Sequence, residues 1–442
     1  MEDWLERAAR ERPEHPALEA PDGALTFAEL DAAAGAAARR LAALGVGEGD
    51  RVATTLAPGV DFAALLHGAP RVGAALMPLD PRVDFSEGGA RVLVSEPLCD
   101  GQADVQPHQG IDPAAVHTVV HTSGTTGQAK AVELTVGNQL ASATAWNAAL
   151  RVAPEDRWLC ALPLFHVGGL SILLRSAIGA TTVRLHRGFD AARVRAELES
   201  GEVTLVSLVP TMLHRLREEG LAAAPGVRAI LVGGGPAPDE LLAWARAHGL
   251  PVMPTYGMSE TASGIALAEA GSARARPIDG AELRIAPDGE VLARGPMVAA
   301  REVAPDGWLH TGDLGRLDGD GALHVSGRIK DVIVTGGENV MAVRVEDVLS
   351  DHPAVVEAGV AGVPDPVWGE RVVGFVVLGA EVSTEELIEH SRARLAPHEV
   401  PKEVRVAASL PRNAAGKLVR GELSRGPPGS APTVPRPRSA PP

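Results

Sequence analysis

Residues 157–209 read RWLCALPLFHVGGLSILLRSAIGATTVRLHRGFDAARVRAELESGEVTLVSLV. Three short apolar runs, Arg157–Ala161, Thr181–Leu185 and Leu205–Val209, alternate with two longer segments, Gly169–Ile178 and Asp190–Ser200. Strand, helix, strand at this spacing predicts parallel strands joined by crossover helices. The alternation extends in both directions. Upstream lie a strand at Thr118–His121 and a helix near Gly137–Leu150; downstream lie helix Thr211–Glu219, strand Ala229–Val232 and helix Pro238–His248. Nearer the N-terminus, residues 26–44 read as an amphipathic helix ending at Gly45, where a left-handed cap suits glycine. A strand at Arg51–Leu56, a helix around Asp61–Gly73 and a strand at Ala74–Leu79 follow. Alternation this sustained predicts the α/β class, with doubly wound sheets of buried strands.

After about Asp279 the texture changes. Ala281–Ala286, Gly289–Arg294 and Ala322–Val325 are short, and turn signals Pro287-Asp288-Gly289 and Asp318-Gly319-Asp320-Gly321 separate them. They predict antiparallel hairpins, a small barrel-like part closing a large domain over residues 1–327. A smaller α+β domain is expected over 331–425: helix Val345–Asp351, strands Ala354–Val363 and Arg371–Leu378, helix Thr384–Leu395 and strand Glu403–Ala408. Seven prolines fall among the 17 residues Gly426–Pro442, so that tail is expected to be disordered.

Composition excludes several classes. The 442 residues carry 41 Lys+Arg against 56 Asp+Glu, a net charge of −15 that is the wrong sign for a nucleic-acid binder. Two cysteines, Cys99 and Cys160, exclude a disulfide scaffold and any multi-cysteine metal site. No basic, then apolar leader is visible at the start, and no apolar run approaches the ~18 residues of a membrane span. A cytoplasmic globular protein is expected, and its oligomeric state is left open, a homo-oligomer included.

The clearest chemical signal is Thr122-Ser123-Gly124-Thr125-Thr126-Gly127-Gln128-Ala129-Lys130, directly after a strand. Glycines let several backbone N–H groups converge on an anion, hydroxyls add donors, and the lysine adds a point charge. Polyphosphate is the natural guest, although composition alone leaves a plain flexible loop as an equal reading. It is not a Walker A loop, because the fifth residue after Gly124 is Ala129 and Lys130 is not followed by Ser or Thr.

This string resembles the phosphate-binding signature of the adenylate-forming superfamily: acyl- and aryl-CoA ligases, peptide-synthetase adenylation domains and luciferases. Five further motifs arrive in that family's order. They are Gly233-Gly234-Gly235-Pro236, Thr255-Tyr256-Gly257-Met258-Ser259-Glu260-Thr261, Trp308-Leu309-His310-Thr311-Gly312-Asp313, Gly327-Arg328-Ile329-Lys330-Asp331 continued to Gly336-Gly337-Glu338-Asn339, and Pro411-Arg412-Asn413-Ala414-Ala415-Gly416-Lys417. The resemblance implies ATP, Mg²⁺ and coenzyme A as reactants alongside a small carboxylic acid. A carboxylate would attack the α-phosphorus to give an acyl-adenylate and pyrophosphate, and a thiol would then displace AMP.

Carried over residue by residue, Glu260 would hold Mg²⁺ and Ser259, threonine in most relatives, would meet the α-phosphate. Gly233–Pro236 and Thr255–Gly257 would flank adenine, with Tyr256 stacking on it. Asp313 would accept the ribose hydroxyls, supported by Arg328. Lys417 would bridge the reacting carboxylate and α-phosphate in the first step. Lys330 would be the hinge, within 328–330, on which the small domain turns. Gly336 and Gly337 would line the pantetheine channel, and His166 would gate the acyl pocket against it. Apart from the resemblance, Lys417 reads as a solvated loop lysine, Lys330 as a linker charge and His166 as a structural histidine.

Leu162–Ser176 and the TTVRLHRGF that follows resemble the branch of the family that activates o-succinylbenzoate in menaquinone biosynthesis. That acid has a second carboxylate, which needs a cation or several donors once buried. Arg184, His186 and Arg187, just past the gating motif, are the candidates, although strand–loop surface charge is an alternative reading for each. The sequence departs from the family at Ala129 for the signature's proline, Ala131 for the glycine after its lysine, Val136 for a histidine, and Met341–Arg344 for Tyr-Pro-x-Glu. None removes a required charge. A general aryl- or short-chain acyl-CoA ligase, an enzyme loading a carrier protein, and a nucleotide binder without ligase activity are the competing functions.

Overall fold

The computed structural model describes residues 1–82, 89–98, 110–122, 130–412 and 418–424. The chain divides into two compact units, Met1–Thr311 with Arg316–His324, and Gly312–Gly315 with Val325 onward. Strands Leu309–Leu317 and Leu323–Arg328 both run through that division. The Pro-rich tail lies outside the described residues.

The doubly wound expectation is borne out in the first unit. Strands Val252–Met258, Ala229–Val232, Leu205–Leu208, Arg157–Cys160, Thr182–Leu185 and Pro16–Ala20 lie side by side and parallel in that order. Their Val, Ile and Leu side chains are almost wholly buried, as a sheet covered by helices on both faces requires. A second sheet runs Val92–Val94, Arg51–Thr54, Ala75–Pro78, Val116–Thr122, Lys130–Thr135, with only the last strand antiparallel. The antiparallel hairpin expected over Ala281–Arg294 is present as Glu282–Ile285 paired with Glu290–Arg294, and antiparallel strands Ser263–Ala268 and Ala275–Pro277 prolong the first sheet past Val252–Met258.

Local signals explain much of this. Helix Phe27–Ala43 starts at a capping box in which Thr26 and Glu29 satisfy each other's backbone N–H groups, and Gly45 takes φ 77° just beyond its end. Helix Trp4–Glu11 and strands Pro16–Ala20 and Gly23–Thr26 were not expected, being too short to show a period. In the second unit the strand order is Glu338–Met341, Val332–Thr335, Gly369–Leu378, Val355–Asp365, with Glu403–Val406 parallel to Gly369–Leu378. Helices Ala342–Ser350 and Thr384–Arg392 contribute Val345, Leu349 and Leu387 to one core with Val360, Val372 and Val376.

Candidate functional site

In the first unit, the carboxyl ends of two neighbouring parallel strands carry the motifs read as nucleotide-binding. Ala229–Val232 runs into Gly233–Pro236, and Val252–Met258 carries Thr255, Tyr256 and Gly257. Ligands of open α/β sheets collect at this edge. Gly233 is required by close approach, since a Cβ there would stand 2.3 Å from Thr255 Oγ1. Gly234 has φ 80°, and Tyr256 is half-buried.

Directly after that strand, Ser259–Thr261 form a 3₁₀ turn. The Thr261 hydroxyl accepts the Met258 N–H at 3.0 Å, Ala262 closes the turn at φ 57°, and Ala299 N–H donates to the Glu260 carbonyl at 2.8 Å. A left-handed alanine costs about 1 kcal/mol, so the turn is held by its surroundings rather than by preference. Its effect is to fix the Glu260 backbone, and the Glu260 carboxylate Oε1 lies 3.9 Å from Lys130 Nζ. Thr122 and Lys130 face each other across the antiparallel pair that brackets the phosphate signature. Ser123, Gly124, Thr125, Thr126 and Gly127 lie outside the described residues.

Lys130 also pairs with Glu302, a residue the sequence reading missed. Glu302 ends a three-residue 3₁₀ turn, Ala300–Glu302, too short to carry a pattern. Glu260 supplies a hard oxygen donor suited to Mg²⁺. Among the described residues no group of three His, Cys, Asp or Glu forms a ready metal cage.

His166 is the N-cap residue of helix Val167–Gly179, with its ring 4.7 Å from that of Phe165. Its Nε2 is buried without a hydrogen-bond partner among the described residues. Burial pushes the His166 pKa down, so the ring is neutral at pH 7. Nine residues along the same helix, Arg175 is 2% exposed and lies between Trp146 and Trp158, 5.0 and 5.3 Å from their ring centres. Its Nη2 donates to Ser171 Oγ at 3.0 Å and Ser263 Oγ at 3.1 Å, and its Nε has no partner among the described residues. No carboxylate pairs with it among those residues. Burial pushes it down to about 9, which still leaves it cationic at neutral pH. Ser263 sits directly opposite Met258 in the adjoining antiparallel pair.

The three cations offered as candidates for a second carboxylate, Arg184, His186 and Arg187, differ in their surroundings. Arg184 is held by Glu19, Glu197 and Glu202 at 2.7–2.8 Å. His186 is 1% exposed with Nε2 3.3 Å from Glu197, and Arg187 is exposed. Arg184 and His186 are thus bound up in a network of the chain's own carboxylates.

In the second unit, Asp313 is 5% exposed and its Oδ1 lies 3.0 Å from Arg328 Nε, so these two expected ribose contacts are adjacent. Lys330 is exposed on the 3₁₀ turn Ile329–Asp331. Gly336 and Gly337 form a two-residue hairpin turn with φ 60° and 85° between paired Thr335 and Glu338. A Cβ on Gly336 would also stand 2.7 Å from Trp368 Cε3, so the turn and this packing account for the glycines by themselves. Lys417 lies outside the described residues. The residues on either side, Arg412 and Leu418, pair across an antiparallel bridge. Just beyond them Arg420 forks onto Asp331 at 2.8 Å and Glu346 at 2.6 Å.

The AMP-binding enzyme pattern matches residues 5–96 and 86–301, and the AMP-binding enzyme C-terminal domain matches 344–417. The chain belongs to the AMP-binding enzyme family. A 2-succinylbenzoate–CoA ligase of Bacillus cereus (strain ATCC 10987 / NRS 248) is 36% identical over 474 aligned positions, covering 96% of this chain and 98% of the relative. The ligase of the same description from Bacillus subtilis (strain 168) is 37% identical, covering 95% and 97%. Among solved structures, the o-succinylbenzoate CoA synthetase of Bacillus subtilis in complex with its acyl-adenylate intermediate superposes with a TM-score of 0.90 at 35% identity, covering 98% of this chain and 99% of that one. ATP-bound MatB from Rhodopseudomonas palustris gives a TM-score of 0.88 at 25% identity, covering 96% and 98%.

Proposed function

We propose that the chain is an ATP- and Mg²⁺-dependent acid–CoA ligase whose acid is o-succinylbenzoate, giving the acyl-adenylate and pyrophosphate first and the CoA thioester and AMP second. Near full-length similarity to 2-succinylbenzoate–CoA ligases supports the reaction. The acid rests on one observation: Arg175, a buried cation that no carboxylate of the described chain neutralises.

A carboxylate oxygen is a poor leaving group, and making it a good one brings two anions together, so the chemistry needs fixed positive charge and donors. Lys130 and the hydroxyl-glycine loop, Thr122 to Gly127, take the polyphosphate. Glu260 would hold Mg²⁺, which would neutralise charge on the phosphates. Ser259 donates to the α-phosphate, Tyr256 stacks on adenine between Gly233–Pro236 and Thr255–Gly257, and Asp313 with Arg328 holds the ribose. Lys417 places its ammonium group on the reacting carboxylate and α-phosphate. His166, neutral and apolar-faced, closes the acyl pocket until the thiol arrives. Lys330 is the hinge residue of the second step, and Gly336–Gly337 give coenzyme A its close backbone approach. ATP and coenzyme A are cytoplasmic metabolites, and the reading places the enzyme with them.

Arg175 takes the acid's non-reacting carboxylate, replacing or joining the Ser171 and Ser263 hydroxyls. A charge-assisted pair in this dry setting is strong because the cation's desolvation has already occurred on folding. The test is Mg²⁺-dependent exchange of labelled pyrophosphate into ATP across a panel of acids, followed by mass detection of the thioester. Exchange with o-succinylbenzoate far above benzoate, acetate and fatty acids is expected. Exchange with none of them overturns the ligase reading, and equal exchange with simple aryl acids overturns the choice of acid.

A further inference from the structure

Lys130 lies between two carboxylates, and only one of them belongs to the motifs read above. Glu260 stands 3.9 Å away, while Glu302 makes the direct ion pair. The Glu302 side chain is 14% exposed against 52% for Lys130, so the carboxylate is the fixed partner and the ammonium the adaptable one. The backbone that carries Glu302 is fastened at several points. Asn138 Nδ2 donates to the carbonyls of Pro296 at 2.8 Å and Val298 at 3.0 Å, and Ala299 N–H donates to the Glu260 carbonyl. Arg301 pairs with Glu133 at 2.8 Å, on the same strand as Lys130. Met297, Val298 and Ala299 are buried beneath it. Nothing in this arrangement needs an acid at 302 to hold the turn, since Arg301 and Asn138 already do so.

The arrangement leaves one ammonium against two carboxylates at the start of strand Lys130–Thr135. A bare polyphosphate approaching that point meets net negative charge and a lysine already engaged. Polyphosphate that arrives complexed with Mg²⁺ carries fewer negative charges and suits the carboxylate side of the site. We propose that Glu302 is a specificity-determining counter-ion: it occupies Lys130 when no nucleotide is present and yields it to metal-complexed polyphosphate in preference to bare polyphosphate. The inference rests on the nucleotide-site reading above and adds a residue to it. Glu302 acts through Lys130 and is a positioning residue.

The experiment is calorimetric binding of ATP to the full-length protein, once in excess Mg²⁺ and once in EDTA, for the parent, Glu302→Gln and Glu302→Asp. The readout is the ratio of the two dissociation constants, which requires no turnover. Glu302→Gln keeps the shape and removes the charge, and should tighten metal-free ATP about fivefold, the size of a part-exposed ion pair, while moving MgATP less than about twofold. Glu302→Asp keeps the charge and should keep the parent ratio. An unchanged ratio in Glu302→Gln, or equal shifts of both constants, overturns the proposal. So does Glu302→Asp matching Glu302→Gln with a lowered melting temperature, which would make the residue a packing element. A parent protein that binds MgATP normally isolates any such failure to this inference, whereas a parent that binds no ATP fails the nucleotide-site reading itself.

Discussion

Arg175→Leu is the perturbation that most directly separates a functional cation from a structural one. The guanidinium is 2% exposed, lies between two tryptophans and reaches two serine hydroxyls. If it receives a substrate carboxylate, removing it leaves that carboxylate buried against neutral hydroxyls. Truncating one member of a desolvated, hydrogen-bonded charge pair costs about 2–5 kcal/mol, and ~3 kcal/mol corresponds to roughly 150-fold. We therefore expect kcat/KM for o-succinylbenzoate to fall by about two orders of magnitude, measured by pyrophosphate release at saturating MgATP. The control is the same acid with its non-reacting carboxylate replaced by hydrogen. For that analogue the parent should already be poor, and Arg175→Leu should change it less than about threefold or improve it, since an unpaired buried charge disappears. Arg175→Lys keeps charge but loses the fork, and should fall between the two. Loss of the two tryptophan contacts would hurt both acids alike. An equal drop for both acids would therefore refute the carboxylate role and leave Arg175 as packing.

Lys417→Ala should lower acyl-adenylate formation by about a hundredfold or more while largely sparing thioester formation from supplied acyl-adenylate; equal loss in the two half-reactions would remove Lys417 from the first step. Asp313→Asn should raise the KM for ATP about tenfold or more, the worth of a hydrogen bond to a charged acceptor, with a matching rise in the Kd of AMP by calorimetry. His67 and His117 are wholly buried, and burial pushes each down to about 3. The unfolded chain protonates them near the ordinary histidine value of about 6.5, so their neutral-state stability is complete above that pH and lost progressively as pH falls towards the folded value. Between pH 7 and 5 each should cost ~2 kcal/mol, read from urea unfolding, and His117→Asn should shallow that slope by about half.

The architecture was legible because it is written in period and punctuation. Parallel strands buried on both faces appear as short apolar runs, and Arg157–Cys160, Thr182–Leu185 and Leu205–Leu208 lie within a residue of where those runs predict them. The elements missed at the N-terminus are short, and the hairpin at 336–337 turns on two residues, so no periodicity announces them. Gly336 and Gly337 also show a limit on motif reading. Positive φ at both and the Trp368 ring against Gly336 already require glycine there, so the residues alone cannot distinguish a turn from a channel.

Charges were harder to read than strands, for a definite physical reason. Arg184 lies close in sequence to the motif read as a gate, but sequence neighbourhood says nothing of Glu19, 165 positions away, or of Glu197 and Glu202, which the fold turns onto it. A cation so surrounded has its charge balanced before any substrate arrives. Arg175 lies inside an apolar helix run, VGGLSILLRSAIG, as its one charged residue, and that anomaly is the signal. Long cations in such runs normally extend their heads to water or to an acid. Helix Val167–Gly179 permits neither, because the Trp146 and Trp158 rings cover the head and hydroxyls stand where a carboxylate would be expected. Glu302 is the converse case, an acid within reach of the phosphate-loop lysine, placed there by a segment that Asn138 and Arg301 fasten. In both cases the informative quantity is the charge left over after the chain's own pairings are made. Pairing is a tertiary property, and one-dimensional motif reading cannot supply it.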